Sequence, residues 1–582
     1  MPSENEISPA EKASQECLEL VYKAIDDNEN FLVEAGAGAG KTYTLIKALK
    51  YLIKKYEVDY EKSHKRIACI TFTNVAKDEI QSRTDNHPII IADTIHAFAW
   101  DCIKGFQKEL RNRIGGLSDK WQIRVDETGL KSQEVIYSLG YPKMTDKEIY
   151  LHHNDVIKLF ILLLNEKKFR KLFSSNYPII LIDEYQDTNK DLANAIVDKF
   201  ILTREGSKIG FFGDHWQKIY GSESCGLIEA DEDKLRIIGK KANFRSDKNI
   251  VEMLNRLRPE LQQHEYDSSS EGELLVLQTN NWEGERRQES HWKDDLPEET
   301  AHKYLESVKE KLTNNGWDLS STKTKILMLT NNVLAAEQGY QNVANVFDTE
   351  DYLKKNDDYI AFLTDVVEVG WEAFNKKKYG EMLKVLGLKQ IGIKKHHDKE
   401  VWHDAMVRLS DLRQTGTVGQ VIELLKSTSK PQLSRKIEEK EFRYSTVSKL
   451  REEDRSDEDK VFFDKITRMR AIAFTEITNV SKYIDDQTLY STKHGVKGAE
   501  FENVIVVFGR GWNLYNWNQF LEWYNSGNIP AAKKDAYERN RNLFYVACSR
   551  PKKRLCLLFT QELSEGALQG LNKLFGNVIN SA

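Results

Sequence analysis

Four aliphatic residues, Ile179-Ile180-Leu181-Ile182, run without a break into Asp183-Glu184-Tyr185-Gln186-Asp187-Thr188. An uninterrupted apolar run of this length reads as a strand buried on both faces, the condition of a parallel sheet flanked by helices. Two adjacent carboxylates at the end of such a strand are costly unless a metal or a reaction stabilises them. Comparable runs recur at Phe31-Leu32-Val33, Ile67-Ala68-Cys69-Ile70, Ile209-Gly210-Phe211-Phe212, Ile326-Leu327-Met328-Leu329, Val504-Ile505-Val506-Val507 and Leu555-Cys556-Leu557-Leu558. The stretches between His96 and Tyr177 and between Tyr340 and Asp485 have helix-like patterning and no strand run, and the second carries charged segments such as Arg435 to Lys460. Both read as helical insertions, and Asp267 to Gly272 reads as a surface loop.

A chain of 582 residues is too long for one hydrophobic core. The pattern predicts an α/β protein of two α/β domains, each with an inserted helical subdomain. Residues 1–100 and 175–240 form the first and 101–174 its insertion; 241–340 and 485–582 form the second and 341–484 its insertion. With 40% hydrophobic and 30% charged residues the composition is that of an ordinary globular protein. Lys and Arg number 85 against 90 Asp and Glu, a formal charge of −5, so histone-like coating of nucleic acid is excluded while a local basic groove is not. The six cysteines contain no Cys-x-x-Cys pair, which argues against a zinc site or an iron–sulfur cluster. The polar N-terminus is unlike a signal peptide, and the longest apolar run, Leu159 to Leu164, is far too short for a bilayer. A cytoplasmic protein with no membrane partner is expected.

Ala35-Gly36-Ala37-Gly38-Ala39-Gly40-Lys41-Thr42 follows the first strand and opens a helix around Tyr43. Small residues let backbone N–H groups close around phosphate oxygens, and the helix N-terminus adds a favourable dipole. Lys41 would reach the β- and γ-phosphates of ATP, Thr42 would hold Mg²⁺, and Tyr43 completes the nucleotide-contacting set. Asp183 is the expected second Mg²⁺ ligand, and Glu184 is placed to activate the water that attacks the γ-phosphate.

The ordered series of motifs resembles superfamily 1 helicases of the UvrD/Rep type across both motor domains, which implies two RecA-like P-loop NTPase domains. Thr71-Phe72-Thr73-Asn74-Val75-Ala76 continuing to Arg83, and Thr94-Ile95-His96-Ala97-Phe98, resemble the family's single-strand contact motifs. Gly213-Asp214-His215-Trp216-Gln217-Lys218-Ile219-Tyr220 is similar to the motif coupling γ-phosphate to DNA. Asn243-Phe244-Arg245-Ser246, Thr492 to Phe501, and Glu538 to Arg550 resemble the later motifs. The resemblance implies that Gln186 and Gln217 sense the γ-phosphate, that Arg245 and Arg550 act as arginine fingers, that Phe244 stacks near adenine and that Glu500 binds ribose. Gln15 is the candidate adenine reader, although it stands further from the P-loop than the family pattern. Phe72 and Tyr220 would stack on bases, and Thr73, Asn74, His96, Thr492 and His494 would touch the strand. Core packing is the competing role for each aromatic, and structural hydrogen bonding for each histidine.

Departures accompany the match. Ala35 replaces the usual first glycine, and Gly221-Ser222-Glu223-Ser224 replaces an aromatic followed by Arg-Gly-Ala, so one stacking platform is in doubt. Trp216 stands where a small or acidic residue is common, with packing and stacking both open. Lys376-Lys377-Lys378 and Lys394-Lys395-His396-His397 are expected on solvated helix faces, with duplex phosphates as the alternative. The short stretch after Arg550 leaves the expectation that any nuclease is a separate chain. The resemblance implies an ATP-dependent helicase or translocase moving 3′→5′ on single-stranded DNA, acting at single-strand/duplex junctions. The alternative is a nucleic-acid-stimulated ATPase that regulates or loads a separate nuclease, as short UvrD-like proteins in Gabija-type anti-phage systems suggest.

Overall fold

The computed structural model describes residues 7–138, 142–219, 223–231, 233–289, 292–328, 331–386, 395–485, 487–492, 499–509, 514–576 and 578–582, without the side chains of 331–333 and 492. Contacts divide the chain into two compact units: 1–275 with 519–555 and 564–579, and 276–518 with 556–563 and 580–582.

In the first unit, helix α1 (Pro9–Asp26) opens on a capping box in which Ser8 and Glu11 bond reciprocally. Strand β1 (Phe31–Ala35) leads through the glycine-rich loop into helix α2 (Lys41–Ser63). Strand β2 (Ile67–Thr71), helix α3 (Asn74–Arg83) and strand β3 (Ile90–Thr94) follow. The expected helical insertion also holds a three-stranded sheet: β4 (Glu134–Tyr137), β5 (Lys143–Met144) and β6 (Glu148–Leu151) in the order β4-β6-β5. These strands are two to four residues long, too short for an alternating pattern to stand out from helical periodicity. The motor sheet is completed by β7 (Ile179–Asp183), β8 (Lys208–Gly213) and β9 (Arg236–Lys240). Its order is β3-β2-β7-β8-β1-β9, with every neighbouring pair parallel.

All of β1 and β2, and β7 from its second residue, are buried, which explains their unbroken apolar runs. One face packs Phe31, Val33 and Phe212 against Val21 of α1 and Leu45 and Leu49 of α2. The other packs Leu32, Ile182 and Phe211 beneath Phe98, from the helix after β3, and Phe160 and Phe173 of the insertion. The P-loop, the acidic pair, Phe72 and Asp214 all follow the carboxyl ends of these strands, where parallel sheets present their ligand sites.

A two-residue parallel pair joins β10 (Ala242–Asn243) to β11 (His264–Glu265). A second six-stranded sheet runs β14-β13-β15-β16-β12-β17, with β12 (Glu273–Gln278), β13 (Thr324–Met328), β14 (Tyr490–Thr492), β15 (Phe501–Phe508), β16 (Pro551–Phe559) and β17 (Ile579–Ser581). Strand β13 is parallel to both β14 and β15, with Ile326 opposite Tyr490 and Ile505. The chain is thus α/β with two six-stranded sheets, in keeping with two RecA-like domains carrying inserts.

Helices fill 341–485 among the described residues, around Tyr340, Ile360, Leu409, Val421 and Ile477. Within that core Arg413 holds buried Glu368 by a fork, Nε to Oε1 at 2.6 Å and Nη2 to Oε2 at 2.5 Å, and lies against the face of Trp371. Removing one partner of a buried pair leaves the other charge uncompensated. Arg413→Met is therefore expected to destabilise this unit by about 3–5 kcal/mol, read as a lowered urea midpoint. An unchanged midpoint would show that Glu368 finds another partner. Lys376 and Lys378 are exposed and pair with Glu372 and Glu381, as befits a solvated face; Lys394 lies outside the described residues.

Candidate nucleotide site

The loop after β1 takes left-handed backbone at Gly38 (φ +74) and Gly40 (φ +72). A Cβ at Gly38 would stand 2.7 Å from Asn243 Oδ1 and 2.8 Å from Arg245 Cβ, so glycine is required both by conformation and by close approach. Gly40 is the N-cap of α2, and Lys41 and half-buried Thr42 open the helix. Ala37 N donates to Tyr545 Oη at 2.8 Å, and Ala37 O accepts from Asn243 Nδ2 and Gln263 Nε2, both at 3.2 Å. The Gln263 side chain also lies against Gly36, while Ala39 N closes the loop onto Gly36 O. Phe244 N donates to Gly38 O at 2.9 Å, and its half-exposed ring stands beside Gly40 and Tyr266. Tyr43 is exposed, with Lys47 Nζ over its ring.

Lys41 Nζ lies 2.6 Å from Glu184 Oε1. Burial alone would lower the Lys41 pKa, but Glu184 and Asp183 raise it above its ordinary value. Glu184 itself adopts φ +48, ψ +46, a conformation costing a non-glycine residue about 1–2 kcal/mol. Asp183 is buried at the end of β7, and its Oδ1 has no hydrogen-bond partner among the described residues. Burial pushes its carboxyl up to about 6 despite the nearby Lys41. An orphaned, buried carboxylate oxygen facing a P-loop lysine is a fitting ligand for a divalent cation, and Thr42 offers a hydroxyl at the start of α2.

Gln186 is fully buried: Nε2 donates to Glu184 Oε2, and Oε1 accepts from Asp214 N at 3.1 Å. Gln217 Nε2 donates to Asp214 Oδ2 at 2.8 Å, and Gln217 Oε1 accepts from Arg550 Nη2 at 3.3 Å. Arg245 Nη1 donates to Ser549 O at 2.9 Å. Burial, then the neighbouring Arg245, lower the Arg550 pKa to about 9. Two guanidiniums so placed favour an anion beside them.

Residues 241–275, 519–555 and 564–579, assigned from sequence to the second motor, lie in the compact unit that holds the P-loop. The helix Lys534–Cys548 brings Tyr545 to Ala37. Trp216 is buried edge-to-face on Tyr545, at 5.5 Å between centroids, so it packs. Gln15 is exposed on α1, while its neighbour Ser14 is buried and accepts from Lys240 Nζ at 2.9 Å. Glu500 is exposed just before β15, in the second unit.

A cavity of about 360 Å³ joins Phe72 and His96 to Asp183, Glu184 and Asp187. Phe72 is half-exposed, Asn74 is exposed, and Thr73 caps α3 by accepting from Ala76 N at 3.2 Å. His96 packs edge-on against His153, and burial followed by the two histidines of the insertion lowers its pKa to about 4. It is therefore neutral near pH 7, able to hydrogen-bond or to make ring contacts but not to supply charge. Tyr220 and His494 lie outside the described residues, as does the side chain of Thr492, whose backbone ends β14.

Motif reading gave no role to Glu34, Arg258, Gln263 or Tyr545. Two of them left a signal: Tyr545 lies within the motif from Glu538 to Arg550, and Glu34 is the one charged residue in the apolar run Phe31-Leu32-Val33-Glu34-Ala35.

Residues 19–223 match the family described as AAA domain, and residues 292–562 match the UvrD-like helicase C-terminal domain. The chain is 25% identical to Gabija protein GajB of Bacillus cereus (strain HuB5-5), covering 97% of this chain and 98% of that protein. It is 30% identical to GajB of Bacillus cereus (strain VD045) over 40% of this chain and 48% of that protein. With ATP-dependent DNA helicase Rep of Buchnera aphidicola subsp. Acyrthosiphon pisum (strain APS) it shares 28% identity over 39% of this chain and 42% of Rep, so the match spans less than half of that relative. Among the described residues no helix is long and apolar enough to cross a membrane. With P-loop, acidic strand end and paired arginines in place and both helicase halves matched, the chain belongs to the UvrD-like superfamily 1 helicases.

Proposed function

We propose that the protein hydrolyses ATP with Mg²⁺ to move 3′→5′ along single-stranded DNA, acting at single-strand/duplex junctions. The observation that carries this reading is the continuous chain from Lys41 through Glu184, Gln186, Asp214 and Gln217 to Arg550. Lys41 and the loop N–H groups hold the phosphates, and Thr42 and Asp183 would hold the metal. Mg²⁺, when bound, would neutralise charge developing on the phosphoryl oxygens. Glu184 takes the proton of the attacking water, while Arg245 and Arg550 stabilise charge on the γ-phosphoryl group. Phe244 and Tyr43 flank the base, Glu500 takes the ribose, and Gln15 reads adenine.

Bases stacking on Phe72 and Tyr220 supply sequence-tolerant grip, about 1–3 kcal/mol per base. Thr73, Asn74, His96, Thr492 and His494 contact the strand. Gln217 links γ-phosphate to that grip, so that alternate closing and opening of the two RecA-like lobes steps the strand. The domain boundaries read from sequence are the proposed limits of these lobes and their insertions.

The near full-length similarity to a Gabija protein supports a second reading. In it the protein works in cytoplasmic antiviral defence, as a nucleic-acid-stimulated ATPase that regulates a separate nuclease and unwinds little. One assay separates the two. ATP turnover is measured with and without single-stranded DNA or RNA, then unwinding of 3′-tailed and 5′-tailed duplexes. DNA-stimulated turnover with unwinding of the 3′-tailed duplex is expected. Stimulated turnover without unwinding favours the second reading, and preference for the 5′ tail removes the polarity.

A further inference from the structure

Arg258 follows the helix Lys248–Leu257 and is buried. Its guanidinium is shared between carboxylates of two different elements: Nη1 donates to Asp214 Oδ1 and Nη2 to Glu34 Oε1, each at 2.6 Å. Its Nε reaches Glu260 Oε1 at 3.3 Å, and its charge lies 5.1 Å from the Trp216 ring centroid and 5.7 Å from that of Tyr545. A planar fork pinned at three nitrogens and bounded by two rings has one orientation.

That orientation passes to the nucleotide site. The second oxygen of Asp214 accepts from Gln217 Nε2. With Oδ1 taken by the Arg258 guanidinium, the other Asp214 oxygen is an acceptor, so the Gln217 amide turns its NH₂ towards Asp214. Its carbonyl oxygen then faces Arg550, whose Nη2 donates to it. A second branch runs through Glu34, whose Oε2 accepts from Tyr185 Oη and whose Oε1 lies 2.8 Å from His215 Nδ1. Burial works against the charged form of Glu34, yet His215, Arg258 and Tyr185 hold its pKa at about 2. The branch thereby ties the turn after β7 and the turn after β8 to the strand that carries the P-loop.

We propose that Arg258 is a positioning residue for ATP hydrolysis, clamping Glu34 and Asp214 so that Gln217 presents its carbonyl oxygen to Arg550. The proposal rests on the ATPase reading. Stability alone does not account for the clamp. Buried ion networks lose most of their attraction to desolvation, and apolar replacements of similar volume are often as stable or more so. Position 34 sits among Leu32, Val33 and Ala35, where an aliphatic side chain would pack without that cost.

The test is a mutant cycle in DNA-stimulated ATP turnover, with nucleotide affinity and melting temperature measured on each protein: wild type, Arg258→Lys, Gln217→Ala and the double variant. Lysine keeps the charge but is a point donor that cannot bridge both carboxylates in the same fork. Arg258→Lys is expected to lower kcat about 10- to 100-fold with nucleotide affinity changed less than about threefold. In the Gln217→Ala background it should cost nothing further, because the residue it acts through is gone. Equal losses in both backgrounds, or a loss confined to melting temperature, overturn the proposal. If Arg258→Lys does not fold, Glu34→Gln loosens the same clamp and is carried through the same cycle, with an additive result again overturning it. A wild type without ATP turnover overturns the ATPase reading and the clamp together; an active wild type with an additive pair overturns the clamp alone.

Discussion

Glu184→Gln is expected to keep ATP binding and to lose turnover by about 10²- to 10⁴-fold, the usual range for a positioned general base. The substitution is nearly isosteric, and the amide oxygen can still accept from Lys41 Nζ, which lies 2.6 Å from Glu184 Oε1. The phosphate-binding lysine is therefore left in place, and the unusual backbone of residue 184 (φ +48) is asked of a side chain of the same length. What disappears is the capacity to take a proton from water. Single-turnover phosphate release together with binding of a fluorescent ATP analogue separates the two effects. Hydrolysis at the wild-type rate would remove Glu184 from the role of base.

Lys41→Ala is expected to abolish useful nucleotide binding, by about 3 kcal/mol or roughly a hundredfold or more in Kd. Lys41 is the ammonium that faces both Asp183 and Glu184, so its loss removes the principal countercharge for the phosphates. It also leaves two neighbouring carboxylates without a cation. The Asp183 carboxyl, already raised to about 6 by burial in the presence of Lys41, would rise further once that opposing charge is gone. Calorimetric titration with a non-hydrolysable ATP analogue and Mg²⁺ at pH 8, above the Asp183 value, checks the effect. Binding of near wild-type strength would show that the loop N–H groups suffice.

Much of the motor was legible because its chemistry lies next to strand ends. The runs at Phe31, Ile67, Ile179 and Ile209 became β1, β2, β7 and β8, since burial on both faces demands continuous apolar sequence. The residues after them carry the phosphate loop, Phe72, the acids and Asp214. The small sheet β4-β6-β5 escaped notice because strands this short carry almost no periodicity. The role of Trp216 was equally hidden, since an aromatic between polar neighbours packs or stacks according to what lies opposite, and here Tyr545 does.

By itself the sequence determined the α/β class, the P-loop, the acidic strand end and the order of the family's motifs, because each is encoded within a few consecutive residues. Tertiary structure alone decided which side chains those motifs lean on. Arg258 meets Glu34 across 224 positions of chain, Tyr545 meets Ala37 across 508, and Arg550 meets Gln217 across 333. Local pattern carries no signal for partners so far apart. Whether a buried charge is a liability or a clamp depends on the countercharge that the fold brings to it.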